Sequence, residues 1–188
     1  MSHPVGKKEE SRARILASAG RGFRSQGYGA LGVDGLARGA GVTSGAFYAH
    51  FKSKAEAFRA AVTEGLRDLR DGIERMRADH GADWRTRFIS FYMSDRRTCD
   101  LAQSCALQSL TGDVARSDDA ARHAFTTEFR EVVAAAALDG DQEAAIALLA
   151  MLAGGVSIAR AVDDPELADQ IARAVERAAA RLGTGDSQ

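Results

Sequence analysis

The groups in this chain with the clearest chemical use lie in one short stretch, Val33 to Lys54, VDGLARGAGVTSGAFYAHFKSK. Thr43, Ser44, Tyr48 and His50 supply hydroxyl and imidazole hydrogen-bonding groups, Gly45 adds no bulk, and Lys52 and Lys54 add positive charge at the exit. Small, hydroxylic and ring-bearing polar groups flanked by lysines suit hydrogen bonding to base edges between two rows of phosphates. The two cysteines, Cys99 and Cys105, are the other candidates. Arg96 and Arg97 precede Cys99 and could favour its thiolate, which makes both cysteines redox candidates beside the plainer reading of idle thiols. No His or Cys spacing fits zinc ligation, and no nucleophile–base set or phosphate loop is present, so no metal, no cofactor, no catalytic residue and no enzymatic activity are expected.

Positioning the first set of groups takes two short helices and a tight turn. Val33, Leu36, Ala37 and Ala40 fall at i, i+3, i+4 and i+7, one face of a helix. Gly41 stops that helix by tolerating the left-handed conformation cheaply, and Val42 can fill the angle that follows. Thr43 or Ser44 can cap a second helix by accepting a first-turn amide hydrogen. Phe47 and Phe51, at i and i+4, bury the inner face of this second helix and turn Ser44, Gly45, Tyr48 and His50 outward. Upstream, a helix over about Glu9–Gln26 buries Ile15, Leu16, Ala19 and Phe23 and ends at Gly27. Residues 1–8 read as a disordered arm, in which Lys7 and Lys8 could follow a DNA backbone or minor groove.

At these residues the chain resembles the TetR family of transcriptional regulators. GVTSGAFYAHFKSK is similar to the family's turn, recognition helix and start of its fourth helix, and ILASAGRGFRSQGYGALGVDGLARGAGV to its first two helices, including Phe23 and Gly27-Tyr28. The likeness is specific over residues 11–62 and loose beyond them. Ser44 stands where family members often carry lysine, Asp34 where a basic residue is common, and Leu31-Gly32 where hydroxyl caps are usual. The resemblance implies an all-α chain of about nine helices. It implies a DNA-binding helix-turn-helix domain over 1–53, a ligand-binding and dimerisation domain over 54–183, and a disordered tail at 184–188. Double-stranded operator DNA and a second copy of the chain are the implied partners, with ligand-released repression as the implied activity.

Composition agrees with a helical globule: 188 residues, 45% hydrophobic, with only two prolines. The formal net charge is −1, but residues 1–54 carry nine Lys or Arg against three Asp or Glu, whereas 55–188 carry sixteen against twenty-three. One end of the molecule is thus suited to phosphates and the other is not. No apolar run approaches the ~20 residues that span a bilayer, and MSHPVGKKEESR lacks the apolar core of a signal peptide, so a cytoplasmic protein is expected.

The remaining elements read as helices over about Lys54–Asp79, Trp84–Asp95, Leu101–Ala115, Asp118–Leu138, Gln142–Val162 and Pro165–Leu182. Their breaks carry cap chemistry, with Ser117 before Asp118 and proline at the first position after Asp164. The first of them has a seam of Phe58, Val62, Leu66, Leu69, Ile73 and Met76 and suits a connecting rod between the halves. Phe88, Phe91, Tyr92, Gln103, Leu107, Leu110, Phe125 and Phe129 are candidate lining for a pocket that takes a small apolar or aromatic ligand. A packed aromatic core is the alternative reading of the same residues. Gln142–Val162 is apolar nearly all round and must bury two faces. With Pro165–Leu182 it could form a four-helix bundle with a second copy, through Leu148, Leu152, Gly155, Ala159, Ile171 and Val175.

Overall fold

The computed structural model of the chain describes residues 4–182, and among them helices follow one another with no strand. They are α1 Pro4–Ala30, α2 Val33–Gly39, α3 Ser44–Tyr48, α4 Lys54–His80, α5 Trp84–Met93, α6 Asp95–Thr98, α7 Ala106–Ala115, α8 Asp119–Ala136, α9 Gln142–Ala161 and α10 Pro165–Arg181. Single tighter turns stand at Gly81–Asp83 and Leu101–Gln103. The class is the all-α one expected. The short α6 is an element that periodicity over so few residues could not reveal.

Two compact units result. One holds the described residues up to Gly65 together with Asp100–Thr126, and the other holds Leu66–Cys99 with the described residues from Thr127 on. Each unit draws on two stretches of the chain, because the segment from Asp100 packs with the N-terminal helices. Arg24 Nε on α1 donates to the Ala102 carbonyl at 3.0 Å, and the Tyr28 amide donates to the Asp113 carboxylate on α7 at 2.8 Å. A Cβ on Gly65 of α4 would sit 2.4 Å from the Cβ of Ala106, so only glycine permits this approach.

In the first unit Ile15, Ala19 and Phe23 of α1 are fully buried with Phe47, Phe51, Ala57 and Phe58. The Phe23 and Phe58 rings meet edge-on at 5.2 Å, and Tyr28 joins Phe58 at 4.7 Å. The regular part of α1 breaks at Gly27, whose φ of +80° suits glycine. At its other end α1 starts at Pro4, so the arm expected over residues 1–8 is helical from residue 4, with proline in the first turn, where its missing N–H is no loss. The expected tail at 184–188 lies outside the described residues.

In the second unit α5, α9 and α10 pack together, with Leu148, Leu149, Leu152 and Val156 of α9 buried. Asp164 accepts the amides of Glu166 and Leu167 and so caps α10, with Pro165 at its first position as the sequence suggests. The cap of α8 differs from expectation. Asp118 accepts the Ala121 amide at 2.8 Å, while the Ser117 hydroxyl donates back to the Asp113 carbonyl. By length and composition α9 could cross a membrane, which corrects the expectation that no segment could. Its buried leucines pack with α5 and α10, which accounts for one side of that apolarity.

Candidate nucleic-acid interface

The turn between α2 and α3 follows from three backbone facts. The Gly41 amide donates to the Arg38 carbonyl with φ at +67°, the Val42 amide donates to Ala37, and Thr43 is extended before α3 begins. Thr43 is the cap: its Oγ1 accepts the Ala46 amide at 3.2 Å. Phe47, fully buried between Tyr48 and Phe51, holds α3 from behind. Thr43, Gly45 and Lys52 are exposed, Tyr48 is 54% exposed, and Ser44 and His50 are half-buried. Most of the residues expected to face DNA therefore face solvent on and just after α3. Lys8 is exposed on α1, and the side chain of Lys7 lies outside what is described.

Lys54 departs from its expected role. Its Nζ donates to the Tyr28 carbonyl at 2.8 Å and to the Leu31 carbonyl at 3.0 Å, and lies 4.1 Å from the centroid of the Tyr28 ring. The ammonium has three donors, and two are used to tie the end of α1 to the start of α4. It is a clamp of the fold and not a free phosphate ligand. Ser53 and Glu56 complete that corner: Ser53 Oγ accepts the Glu56 amide, and the Glu56 carboxylate accepts the Lys52 amide at 2.7 Å. Ser53 and Glu56 stand at the Ser-x-x-Glu spacing of a helix start, a pattern that the sequence reading did not use.

One contact had no signal in the local pattern. The Ser44 hydroxyl donates to Asp34 Oδ1 at 2.5 Å, joining the first turn of α2 to the start of α3.

Residues 15–61 match the family model described as bacterial regulatory proteins, tetR family. By this segment, about a quarter of its length, the chain is similar to the TetR family. The transcriptional activator FasR of Mycolicibacterium smegmatis is 34% identical over 68 residues, which cover 36% of this chain and 31% of FasR. The regulator TtgR of Pseudomonas putida is 37% identical over 67 residues, covering 36% of this chain and 31% of TtgR. The chain thus matches less than a third of the length of these curated relatives. A TetR-family regulator from Agrobacterium tumefaciens shares the fold with a TM-score of 0.74 at 15% identity, over 91% of this chain and 98% of that one.

The expected TetR-type ligand pocket divides between the two units. Leu107 and Leu110 are buried, Phe125 half-buried and Gln103 exposed in the first, whereas Phe88 and Tyr92 are buried and Phe91 and Phe129 half-buried in the second. Trp84, Phe88 and Tyr92 stack along α5 at 6.2 and 5.6 Å, and the Arg96 guanidinium lies 5.3 Å from the Phe91 ring. The grooves within each unit have other linings. One of about 330 Å³ lies along Thr86, Ile89, Ser90, Glu176, Arg177 and Ala180, and one of about 220 Å³ along Tyr28, Ala55, Phe58, Arg116, Ser117, Asp118 and Ala121.

The packing of α9 on α10 takes up four of the six residues expected at a dimer interface. Leu148, Leu152, Gly155 and Ala159 are buried within the single chain, and Ile171 and Val175 are half-buried there. Gly155 meets Val175 of the same chain, since a Cβ on it would fall 2.8 Å from Val175 Cγ2. The face of α9 left to solvent carries Ile146, Ala150, Gly154 and Ile158, with Ile146 at 45% and Ile158 at 57% exposure.

Cys105 is buried in the first unit and Cys99 half-buried in the second. The Cys99 thiol donates to the Arg96 carbonyl, while Arg160 Nη2 donates to Cys99 Sγ at 3.3 Å and to the carbonyls of Arg96 and Cys99 at 2.8 Å. The arginine beside the sulfur is therefore Arg160, brought from α9, and not the sequence neighbours.

Proposed function

We propose that the chain is a sequence-specific DNA-binding transcriptional regulator. In this reading it is a cytoplasmic homodimer, and a small apolar or aromatic ligand releases it from its operator, so that it acts as a repressor. The observation that carries the reading is the TetR-type helix-turn-helix, with α3 fixed by Phe47 and presenting Tyr48 and its neighbours to solvent. The positive excess of residues 1–54 supports the same conclusion. The exposed apolar row on α9 supports pairing with a second copy. Two recognition helices related by a two-fold axis read half-sites about 34–36 Å apart, or a multiple of that. A ligand that prefers one arrangement of the C-terminal helices changes that separation; a coupling of about 1–3 kcal/mol gives a ~5- to 150-fold change in affinity.

The test is a titration of the chain onto duplexes selected from random DNA, at several salt concentrations. With about four or five phosphates neutralised per copy, affinity falls by roughly 10³ to 10⁵ between 50 and 200 mM salt. No enriched sequence, a flat salt dependence, or a monomer by sedimentation at micromolar concentration overturns the reading. Because the relative FasR is named an activator, reporter transcription with and without the chain decides the sign of regulation.

One observation favours a second reading on the same scaffold, a thiol-based sensor of oxidants or electrophiles: the Arg160 guanidinium beside Cys99 Sγ. If peroxide frees DNA from the parent protein but not from a Cys99→Ser, Cys105→Ser double variant, the cysteines are the switch. If parent and variant respond alike to an apolar inducer and neither to peroxide, the ligand reading stands.

A further inference from the structure

Asp34 and Ser44 are two of the positions at which this chain departs from the pattern it resembles, and they are bonded to each other. Ser44 Oγ–H donates to Asp34 Oδ1 at 2.5 Å, across the turn that joins α2 to α3. Asp34 is exposed and Ser44 half-buried. The adjacent hydroxyl of Thr43 is committed to capping α3. Helix α3 itself, SGAFY, has no lysine or arginine, so the donor that most often reads guanine is missing from it.

A serine hydroxyl has a single hydrogen. With that hydrogen on Asp34, the Ser44 oxygen retains only lone pairs, and so does the second oxygen of the Asp34 carboxylate. Two such acceptors can engage only hydrogen-bond donors. In the major groove the donors on base edges are the N4 amino group of cytosine and the N6 amino group of adenine. Guanine offers O6 and N7 and thymine O4, all acceptors, which the pair repels. Adenine places its N7 acceptor beside the amino group, so cytosine is the better match. The carboxylate is also a negative charge near phosphates, which weakens binding to every sequence alike.

We infer that Asp34 and Ser44 form an acceptor-only reader that favours cytosine, on the strand facing the pair, at one position of each half-site. The inference rests on the DNA-binding function proposed above. Adhesion of α3 to α2 is the other role such a bond can have, and substitution separates the two. In Asp34→Asn the amide oxygen still accepts from Ser44, so the helices remain joined, but the amide nitrogen now presents donors. A reader then changes its base, whereas a mere link between helices does not.

The experiment is selection from a random double-stranded DNA library with the parent chain, Asp34→Asn and Ser44→Ala. Affinities are then measured for four duplexes differing at the affected base pair. The parent should prefer cytosine there by roughly tenfold, toward the lower end of what paired side-chain contacts give. Asp34→Asn should replace cytosine by guanine or thymine in that column and bind all four duplexes more tightly, having lost a negative charge. Ser44→Ala should weaken the preference in the same column and leave the others alone. Should Asp34→Asn lose its helical circular dichroism, the Ser44→Ala column decides alone. Motifs from both variants that equal the parent's in every column overturn the inference while leaving DNA binding intact. A correctly folded parent that enriches no motif overturns the DNA-binding reading and this inference with it.

Discussion

Replacing Lys54 by methionine separates the structure from the local pattern of charge. The substitution keeps the length of the stem and removes the ammonium that donates to the Tyr28 and Leu31 carbonyls and lies over the Tyr28 ring. Two hydrogen bonds from a charged donor contribute about 1.5–3 kcal/mol each, and a cation–π contact about 0.5–1 kcal/mol where partly exposed. Lys54 is half-buried, so water can replace part of this, and the gross figure is roughly halved. A positive charge at the start of α4 is itself unfavourable by about 0.3–1 kcal/mol, which the substitution relieves. The expected net loss is about 2 kcal/mol. It should be read in urea as a lower midpoint with an unchanged slope. Lys54→Met should leave the salt dependence of DNA binding as it was, whereas Lys52→Met, on an exposed lysine, should flatten it by about 0.9 for each phosphate no longer neutralised. An unchanged urea midpoint together with a flatter salt dependence for Lys54→Met would refute the clamp and restore the lysine to the phosphates.

Three further substitutions follow from the packing. Phe47→Ala removes a fully buried ring behind α3 and should cost about 3–5 kcal/mol in thermal or chemical melts, while Tyr48→Ala, on a largely exposed ring, should weaken DNA binding with little change in stability. Gly65→Ala drives a methyl group into Ala106 and should cost about 1–3 kcal/mol, much of it recovered in the double variant with Ala106→Gly. Ile158→Glu puts a charge on the solvent face of α9 and should shift sedimentation from dimer to monomer; a dimer of unchanged strength would move the interface elsewhere.

What could be read from the sequence was what depends on neighbours within a few turns of helix. The buried row Ile15, Ala19 and Phe23, the turn at Gly41, and Phe47 facing inward all follow from 3.6-residue periodicity and glycine's freedom at positive φ. Roles were misread or missed where a partner is distant in the chain. Lys54 finds its acceptors 23 and 26 residues back, and Asp113 its donor 85 residues back, so neither role has a local signature. Helix α9 shows the same limit in another form. A helix apolar on nearly every side does not reveal which side meets its own chain, and Val175 lying against Gly155 makes that choice. The Asp34–Ser44 bond spans only ten residues, but it crosses a turn whose geometry brings two unrelated positions together.

The same reasoning limits how much of the N-terminal charge DNA can use. Nine lysines and arginines lie within residues 1–54, and if each neutralised a phosphate, two copies would give a salt slope of about −16. Arg24 is turned to the Ala102 carbonyl, Lys54 to two carbonyls, and Arg12 lies 5.0 Å from the Phe51 ring. Among the described side chains, Lys8, Arg14, Arg21, Arg38 and Lys52 are the exposed basic ones not drawn into those interactions. Five neutralised phosphates per copy correspond to a slope of about −9 for a dimer. Measurement of log affinity against log salt between about 50 and 300 mM should therefore give a slope no steeper than about −9. A slope near −16 would mean that the clamped cations leave their carbonyls for phosphates when DNA binds. The corner formed by α1, α4 and Ala102 would then have to open in the complex, and Lys54→Met would flatten the slope instead of lowering the urea midpoint.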